Sequence, residues 1–233
     1  MLKPESELQV AQMFDRISKR YDFLNRLLSA GRDQQWRDEL VREIPNRPGG
    51  AFLDVATGTG DVLLKVKQDH PEYRTYIGID ISEKMLNLAR DKAIAEKTLQ
   101  FLPMSAQSLT FADQTFDALS ISFGLRNVVD KEQALAEFSR VLKPHGVLLI
   151  LEFFKAEGRF FEGIFQFYFH YILPIIGRIF SEKQAYEYLP ASVQSFYSQE
   201  GLLCALNKCG FTSEVKKNFL FGSCKLVVAR KRP

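Results

Sequence analysis

The segment Leu53–Asp61 constrains the fold of this chain more than any other stretch. It reads LDVATGTGD and joins an apolar strand-like run, Ala51–Val55, to a helical pattern that begins at Val62. Gly58 and Gly60 stand between the two, where the backbone has to turn sharply. A strand, a glycine turn and a helix start together expose free backbone N–H groups, as nucleotide-binding cradles do. The segment therefore predicts such a cradle within an α/β fold.

A carboxylate at the end of the next strand narrows the choice of ligand class. The second predicted strand, Thr75–Ile79, is followed by Asp80, which lies about 20 residues after Gly60, the spacing at which an acid meets ribose hydroxyls. A dinucleotide site would have a third glycine where this chain has Leu63, and Asp61 stands where a phosphate would lie. Both departures favour a phosphate-free adenosine ligand, of which S-adenosyl-L-methionine is the common example. A turn without any ligand is the alternative.

The remainder of the chain alternates strands with helices. Further strands are predicted at Leu99–Leu102, Phe116–Ile121 and Val147–Leu151, and the apolar fourth run suits a sheet covered on both faces. This alternation predicts a Rossmann-like, doubly wound, mostly parallel sheet. Two last strands, Thr212–Phe219 and Lys225–Ala229, are predicted as an antiparallel edge pair, which brings the sheet to seven strands.

Helix boundaries are predicted from polar residues that precede apolar periodic runs. The expected N-caps are Asp33, Ser82 and Asp130. Asp33, Ser82 and Asp130 would open the helices Gln34–Glu43, Glu83–Glu96 and Lys131–Leu142, in that order. A later helix, Gln199–Lys208, is predicted before Gly210.

The carboxyl ends of the predicted parallel strands converge on one crevice. In open parallel sheets, ligands bind beyond those ends, so residues that follow each strand are expected to line a common site. The residues concerned are Gly58, Thr59, Gly60, Asp80, Ser105, Ala106, Ser122, Phe123 and Glu152. This convergence is a stronger signal than any single motif.

The order of these segments predicts one α/β domain with two additions. An N-terminal helical segment (1–48) precedes the cofactor-binding core (51–153), a helical insertion (154–197) follows it, and a last helix and strand pair (198–233) ends the chain. The N-terminal segment is either a surface helix pair or a lid over the cradle, and sequence spacing leaves both open.

The insertion is rich in aromatic residues between Phe160 and Leu173. Its uncharged run, Gly163–Gly177, is shorter than the ~20 residues that a bilayer-spanning helix needs. We expect a buried cap helix, a wall for a greasy substrate, or a surface that touches a membrane, and these are mutually compatible.

Charge and cysteine content exclude several classes of protein. The formal net charge of the 233 residues is +3, and a basic run occurs only at Arg230–Arg232, so no nucleic-acid partner is expected. The 3 cysteines form no CxxC pair, which indicates a reducing, cytoplasmic setting without a disulfide framework or a metal site. The first ten residues contain no apolar stretch typical of a secretory signal.

Several motifs resemble one enzyme family, the S-adenosylmethionine-dependent C-methyltransferases of menaquinone and ubiquinone biosynthesis, often called UbiE or MenG. The resemblance extends over nearly the whole chain, and FGLRNV together with a downstream YxYLP is specific to that family. The matching segments are MFDRISKRYDFLN (13–25), LDVATGTGD (53–61), SFGLRNVVDKEQAL (122–135), RVLKP (140–144), LEF (151–153) and YEYLP (186–190).

The resemblance implies a class I methyltransferase that uses S-adenosyl-L-methionine. Thr59 and Ser122 would contact this cofactor beside the glycine turn, Asp80 would bind its ribose, and Ser105 with Ala106 would lie beside its adenine. Ser105 stands where the family usually has asparagine. Outside the site, His145 replaces a usual glycine, and residues 221–225 fit the family pattern poorly.

The acceptor that the resemblance implies is demethylmenaquinol, a reduced prenylated ring, with a ubiquinone precursor as the alternative. Arg126 is the candidate cation or hydrogen-bond donor beside a developing oxyanion, and Asn127 would orient the ring. A purely structural salt bridge of Arg126 is the competing interpretation. Tyr21, Phe123 and His170 are the expected acceptor-binding residues.

Other possibilities stay open at this level. Tyr21 or Asp22 is a further candidate to relay a proton. Methylation of a phenol oxygen or of a sterol-like lipid is one rival activity, and a non-catalytic cofactor-binding scaffold for quinone synthesis is another. A transient contact with the inner membrane surface is expected from the lipid acceptor, and a homodimer is compatible with the sequence.

Overall fold

The centre of the molecule is a sheet of seven strands in the order β3-β2-β1-β4-β5-β7-β6. The computed structural model describes residues 6–29, 31–155, 188 and 191–233. The strands are β1 (Ala51–Val55), β2 (Thr75–Asp80), β3 (Leu99–Pro103), β4 (Phe116–Ser122), β5 (Leu142–Phe153), β6 (Phe211–Phe219) and β7 (Cys224–Lys231). Neighbours among β1 to β5 pair in parallel, whereas β7 runs antiparallel to β5 and β6. The predicted Rossmann-like, mostly parallel sheet is confirmed.

Helices flank the sheet on both faces. Those with complete bounds are α1 (Glu7–Leu28), α2 (Arg32–Arg42), α3 (Asp61–Asp69), α4 (Glu83–Lys92), α5 (Lys131–Val141) and α6 (Gln199–Lys208). Two predicted caps are confirmed. The side chain of Ser82 accepts the Met85 N–H at 3.2 Å, and the side chain of Asp130 accepts the Gln133 N–H at 2.9 Å.

The predicted cap at Asp33 is wrong. The residue before α2 is Gly31, which adopts a left-handed conformation with φ 77° and contributes no side-chain cap. Asp33 lies inside the first turn, where it accepts the Ser29 hydroxyl at 2.8 Å and pairs with Arg37. Because Gly31 takes the left-handed conformation, the chain turns there and α2 begins at Arg32, before Asp33.

Two other boundaries differ from the predictions by four or more residues. Helix α4 ends at Lys92 rather than at residue 96. Strand β5 starts at Leu142 instead of Val147, because an irregularity opposite Phe116–Ala118 lets the chain bulge and still pair. His145 takes φ 62° within that bulge.

The last two strands form the predicted antiparallel pair at one edge of the sheet. Strand β7 lies inside the sheet between β5 and β6, so β6 alone is the edge on that side. The buried pattern of β7 explains this position, because its residues from Cys224 to Ala229 are all buried. A strand covered on both sides reads as a continuous apolar run.

Two apolar layers cover the sheet. One includes Phe138 of α5 and Leu206 of α6, and the other includes Trp36, Leu63 and Leu86 of α2 to α4. Leu63 is fully buried, so the residue that replaces the third glycine of a dinucleotide motif fills the space between α3 and the sheet.

The predicted insertion falls almost entirely outside the described residues. Its aromatic block, His170 and most of YEYLP belong to this part, and only Tyr188 of that motif is described. Among the described helices, none has the length and hydropathy that crossing a membrane would require.

Candidate active site

The glycine turn after β1 has a backbone conformation that favours glycine. Gly58 and Gly60 take φ 56° and 83°. A Cβ on Gly60 would lie 3.1 Å from the side chain of Ala89 and 3.2 Å from that of Phe101. Backbone conformation and lack of space therefore both require glycine at residue 60.

Asp80 connects the glycine turn to the next helix. One carboxylate oxygen accepts the Gly58 N–H and the other accepts the Ser82 N–H, each at 2.9 Å. Burial raises the pKa of Asp80 to about 6, although these backbone donors act in the opposite direction. Each carboxylate oxygen has more than one lone pair, so the group keeps acceptor capacity for ligand hydroxyls.

A cavity lies over the carboxyl ends of β1, β2 and β4 and encloses about 640 Å³, part of it open to solvent. We call it the main cavity. Its strand side includes Gly58, Asp80, Ala106, Ser122, Phe123 and Asn127. Its other side is formed by α1, through Glu7, Val10, Phe14 and Tyr21. Helix α1 thus forms one wall of the main cavity, and its role as a lid stays a prediction.

Polar contacts fasten this lid at separate points. Asp15 accepts the hydroxyl of Ser82 at 2.6 Å. Nearer the start of α1, Glu7 accepts hydrogen bonds from Ser105 and Gln107. Both contacts connect α1 with loops that follow strands, so the lid is tied to the rim of the cavity.

A third fastening is centred on Lys92 of α4. Its ammonium group lies 2.6 Å from carboxylate oxygens of Asp22 and Asp61 and 2.8 Å from the hydroxyl of Thr59, which in turn donates to Asp22 at 2.7 Å. Burial acts to raise the pKa of Asp22, but the hydrogen bonds from Lys92 and Thr59 outweigh it, so its pKa is lowered. Asp22 is therefore ionised, and it holds α1 to α4 through Lys92. A carboxylate that is paired in this way is poorly suited to relay a proton.

The predicted cofactor-binding residues lie in different parts of the site. Gly58, Asp80, Ala106 and Ser122 line the main cavity. Thr59 instead lines a second cavity of about 320 Å³, which shares Tyr21, Ala56, Gly58 and Ser122 with the first. Gly60 shapes the turn, and the side chain of Ser105 is bonded to Glu7 of the lid.

These residues fit S-adenosyl-L-methionine. The hydroxyl of Ser122 is buried without a hydrogen-bond partner within the described residues, so it is available to a ligand. Beyond Asp80, the main cavity is lined by apolar side chains suited to a purine: Ile81, Met85, Met104 and Ala106. Asp80 would hold the ribose between these walls and the glycine turn.

Arg126 and Glu152 form a buried ion pair at the other end of the crevice. The Arg126 guanidinium lies 2.6 Å from Glu152, whose side chain is wholly buried. Glu152 also accepts the backbone N–H groups of Arg126 and Phe153, at 3.1 Å and 2.8 Å. Burial acts to lower the pKa of Arg126, but Glu152 outweighs it and the pKa is raised, so Arg126 stays a cation.

The predicted pair Arg126 and Asn127 is divided between two compartments. Asn127 lines the main cavity, whereas Arg126 lines a smaller adjoining cavity of about 290 Å³, to which Asn127 also contributes. The Arg126 Nε is buried and lacks a partner among the described residues. Arg126 therefore does form a salt bridge, and its role toward an acceptor stays a prediction.

Tyr188 is a site residue that sequence analysis did not single out. Its hydroxyl donates to Asn127 Oδ1 at 3.0 Å, while Asn127 Nδ2 donates to the Phe123 carbonyl at 3.2 Å. Burial raises the pKa of Tyr188 to about 12, so it remains a phenol donor. Tyr188 belongs to the YxYLP motif, which was the available signal for it.

Two of the three predicted acceptor-binding residues line the main cavity. Phe123, at φ 56°, stacks on Phe153 with ring centroids 5.0 Å apart. Tyr21 comes from the lid, and burial raises the pKa of its phenol. His170 lies outside the described residues.

Solved structures share this fold at low sequence identity. A S-adenosylmethionine-dependent methyltransferase from Thermotoga maritima superposes with a TM-score of 0.66 at 18% identity, covering 95% of this chain and 99% of that one. The cyclase SpnF superposes with 0.68 at 20% identity, covering 96% and 95%. The fold is that of class I S-adenosylmethionine-dependent methyltransferases.

Sequence comparison identifies the family. The model of the ubiE/COQ5 methyltransferase family matches residues 2–231. A Ubiquinone/menaquinone biosynthesis C-methyltransferase UbiE from Geobacter sulfurreducens is 43% identical over 228 residues, which cover 96% of this chain and 88% of the relative. One of the same description from Campylobacter jejuni is 38% identical, covering 97% and 99%. The chain belongs to the ubiE/COQ5 methyltransferase family, and its methyl donor is S-adenosyl-L-methionine.

Proposed function

We propose that this enzyme methylates a ring carbon of demethylmenaquinol to give menaquinol. The observation that carries the proposal is that the two ends of one crevice are lined by different kinds of side chain. Asp80 and Ala106 mark an adenosine seat at one end, and Asn127 with the buried Arg126–Glu152 pair marks a polar, cationic wall at the other. The names of the relatives from Geobacter and Campylobacter support a quinone-pathway acceptor.

The chemistry requires the reduced form of the ring. When bound, S-adenosylmethionine supplies an electrophilic methyl group. An electron-rich quinol carbon can accept it, whereas an electron-poor quinone carbon cannot. The new carbon–carbon bond forms as the sulfur–methyl bond of the donor breaks and its electron pair goes to sulfur. The ring hydrogen that the methyl group replaces leaves as a proton, and a phenolate form of the quinol pushes electron density onto that carbon. The site therefore has to align the ring, exclude water and favour a phenolate.

Arg126 is suited to favour that phenolate. It stays charged, and Glu152 and the Phe123 carbonyl hold its Nη1 at 2.6 Å and 2.7 Å. A fixed cation stabilises a developing oxyanion without reorganising, and it does so best where water is excluded. Since its pKa is raised, Arg126 acts as a charge and a donor rather than as a base.

Asn127 is suited to orient the acceptor. Tyr188 and the Phe123 carbonyl fix both ends of its amide, and the residue contacts both the main cavity and the small cavity beside Arg126. We place the acceptor ring at this boundary, with Phe123 and Tyr21 as its aromatic walls. The prenyl tail would leave past Tyr188 and Ser192, which line the small cavity, toward the membrane surface. The proposal therefore includes a cytoplasmic location with peripheral membrane contact.

Product analysis tests the proposal. Purified enzyme receives donor carrying a labelled methyl group together with demethylmenaquinol, the oxidised demethylmenaquinone, or a prenylated methoxybenzoquinol that represents a ubiquinone precursor. We expect label on a ring carbon of demethylmenaquinol, located by mass fragmentation, and none in the quinone. Label on oxygen, or faster transfer to the methoxybenzoquinol, would replace this acceptor by the corresponding alternative.

A scaffold without turnover is the rival of a different class. Complementation of a strain that lacks menaquinone methylation separates the two. Wild-type protein should restore menaquinone, and Asp80→Ala should not, because it removes the ribose contact. Equal restoration by both proteins would favour the scaffold.

A further inference from the structure

Helix α1 sorts its charged side chains by sign. The helix has three carboxylates and four cationic side chains. Each carboxylate bonds a residue of the core, and the three are Glu7, Asp15 and Asp22. The four cations are exposed instead, and they are Arg16, Lys19, Arg20 and Arg26. The helix therefore turns its negative charges toward the fold and its positive charges away from it.

The exposed side chains of α1 lie in one stripe, which we call the cationic stripe. At about 100° per residue along an α-helix, the stripe covers an arc of about 120°. Among the described side chains of α1, no carboxylate falls within this arc. The members of the stripe are Leu8, Gln9, Gln12, Arg16, Lys19, Arg20, Phe23 and Arg26. Such a surface attracts a partner with an array of negative charges.

Two large apolar side chains stand in the same stripe. Phe23 is 53% exposed among the cations, and Leu8 is 67% exposed toward the start of the helix. At an anionic bilayer, phosphate headgroups would meet the cations while the apolar groups enter the boundary with the acyl chains. A soluble polyanion would satisfy the cations but leave both apolar groups in water. The combination therefore favours a membrane over a nucleic acid.

The stripe also lies close to the substrate site. The opposite face of α1 lines the main cavity through Val10, Phe14 and Tyr21. An α-helix with its side chains is only about 10 Å across. A bilayer on the stripe would therefore lie about one helix diameter from the cavity.

The start of α1 adjoins the proposed exit of the prenyl tail. Gln107 donates to Glu7 of α1 and accepts the backbone N–H of Asp130. The neighbouring Val129 is 37% exposed and lines both the main cavity and the small cavity beside Arg126. The stripe and this exit thus meet at the same end of the helix.

We infer that the cationic stripe of α1 is the surface by which this enzyme docks on an anionic phospholipid bilayer. The inference rests on the proposed function for its lipid acceptor, and it adds the face of the protein and the lipid charge that docking uses. Each lysine or arginine close to such a surface strengthens binding about fivefold.

Vesicle sedimentation tests the surface with neither donor nor acceptor present, so docking and the proposed acceptor can fail separately. Wild-type protein should bind vesicles of equal parts phosphatidylglycerol and phosphatidylcholine, and it should not bind phosphatidylcholine alone. Salt at about 0.5 M should release it, because charges are then screened over a few ångströms. Failure of the wild-type protein to bind the anionic vesicles would overturn the inference.

A variant that neutralises the stripe combines Arg16→Gln, Lys19→Gln, Arg20→Gln and Arg26→Gln. Its affinity for the anionic vesicles should fall at least about 100-fold. Donor affinity measured by calorimetry should stay near wild type, which shows that α1 still covers the cavity. The matched control removes four exposed cations outside α1 and should bind the vesicles within about threefold of wild type. Its substitutions are Arg47→Gln, Arg74→Gln, Lys208→Gln and Arg230→Gln.

Two outcomes with these variants would contradict the inference. Equal weakening in both would show that net charge, and not the stripe, decides binding. Stripe-dependent binding of duplex DNA that is tighter per phosphate than binding of the vesicles would assign the surface to nucleic acid.

A fluorescent reporter at Phe23 decides the question even where the fourfold variant does not fold. The chain has a single tryptophan, Trp36, which is 4% exposed. In Phe23→Trp, the emission in excess of wild type should shift to shorter wavelength on anionic vesicles and stay unchanged with neutral ones. Unchanged emission on vesicles that bind the protein would place another face at the membrane and overturn the inference.

Discussion

The two ends of the crevice handle buried charge in opposite ways. At the donor end, Asp80 is buried against backbone N–H groups, and its pKa rises to about 6. At the acceptor end, Glu152 is buried against a cation, Arg126, at 2.6 Å. The donor end therefore depends on backbone geometry, and the acceptor end depends on a side-chain pair. Substitutions at the first should change ligand affinity, whereas neutral replacements of the second should change turnover.

The largest expected effect is a loss of stability when a substitution disrupts the ion pair at the acceptor end. Glu152→Ala leaves the Arg126 charge buried without its partner, and the free energy of unfolding should fall by about 3–5 kcal/mol. Urea denaturation measures this. A double variant, Arg126→Met with Glu152→Leu, removes both charges and should regain most of the stability without regaining turnover. If Glu152→Ala unfolds like wild type, the pair is not the buried ion pair described above.

The next effect breaks the donor end. Gly58→Val puts a β-branched residue at φ 56°, a conformation that it avoids, and donor affinity measured by calorimetry should fall at least about 100-fold. Gly49 is the matched control, because its φ is 74° and a Cβ would meet nothing within 4 Å. Gly49→Val should lower stability and leave donor affinity near wild type. Similar affinity losses in both variants would mean that backbone strain, and not the position in the cradle, decides binding.

A pH series sharpens the comparison. Burial raises the pKa of both Asp54 and Asp80 to about 6 in the folded state, above their ordinary value near 4. Their protonated forms favour folding, so this stability is present below about pH 4 and is lost as the pH rises through 6. Between pH 5 and 7 the free energy of unfolding of the ligand-free enzyme should fall by about 1–3 kcal/mol.

Asp54→Asn provides the control for this pH dependence. The amide can still bond the hydroxyls of Thr57 and Ser120, which hold the carboxylate at 2.6 Å in the native protein. It does not titrate, so the slope between pH 5 and 7 should drop by about half. An unchanged slope would show that Asp54 does not carry the raised pKa.

The smallest effect concerns orientation at the acceptor end. Tyr188→Phe removes the hydroxyl that holds Asn127 Oδ1, a hydrogen bond worth about 1 kcal/mol. The rate of methyl transfer should fall about fivefold while donor affinity stays unchanged, since Tyr188 does not line the main cavity. Steady-state kinetics and calorimetry separate the two quantities. A matching fall in donor affinity would assign Tyr188 a general structural role.

The secondary structure around the proposed donor end was easier to predict than the contacts at the proposed acceptor end, for a physical reason. Strand β1 at Ala51–Val55 and helix α6 at Gln199–Lys208 have the predicted bounds, and Ser82 caps α4 as expected. These features depend on residues that are close in sequence, where periodicity and capping chemistry act directly. The glycine turn and Asp80 belong to the same local class.

Features that join distant residues were harder to predict. Glu152 meets Arg126 across 26 positions, and Tyr188 meets Asn127 across 61. No local pattern specifies such partners. The same is true of Arg37, because it lies in an ordinary amphipathic helix and no motif marks it for a contact outside that helix. Asp33 was assigned as a cap because its residue type suits one, but the backbone of Gly31 decided where α2 begins.

The central claim is that one crevice holds the donor at one end and a charge-assisted acceptor site at the other. The most direct test replaces Arg126 and Glu152 together by glutamine, which removes both charges and keeps amide hydrogen bonding. Donor affinity should stay within about threefold, while turnover with demethylmenaquinol should fall at least about 100-fold, because the fixed cation is gone. Wild-type turnover in this variant would contradict the account.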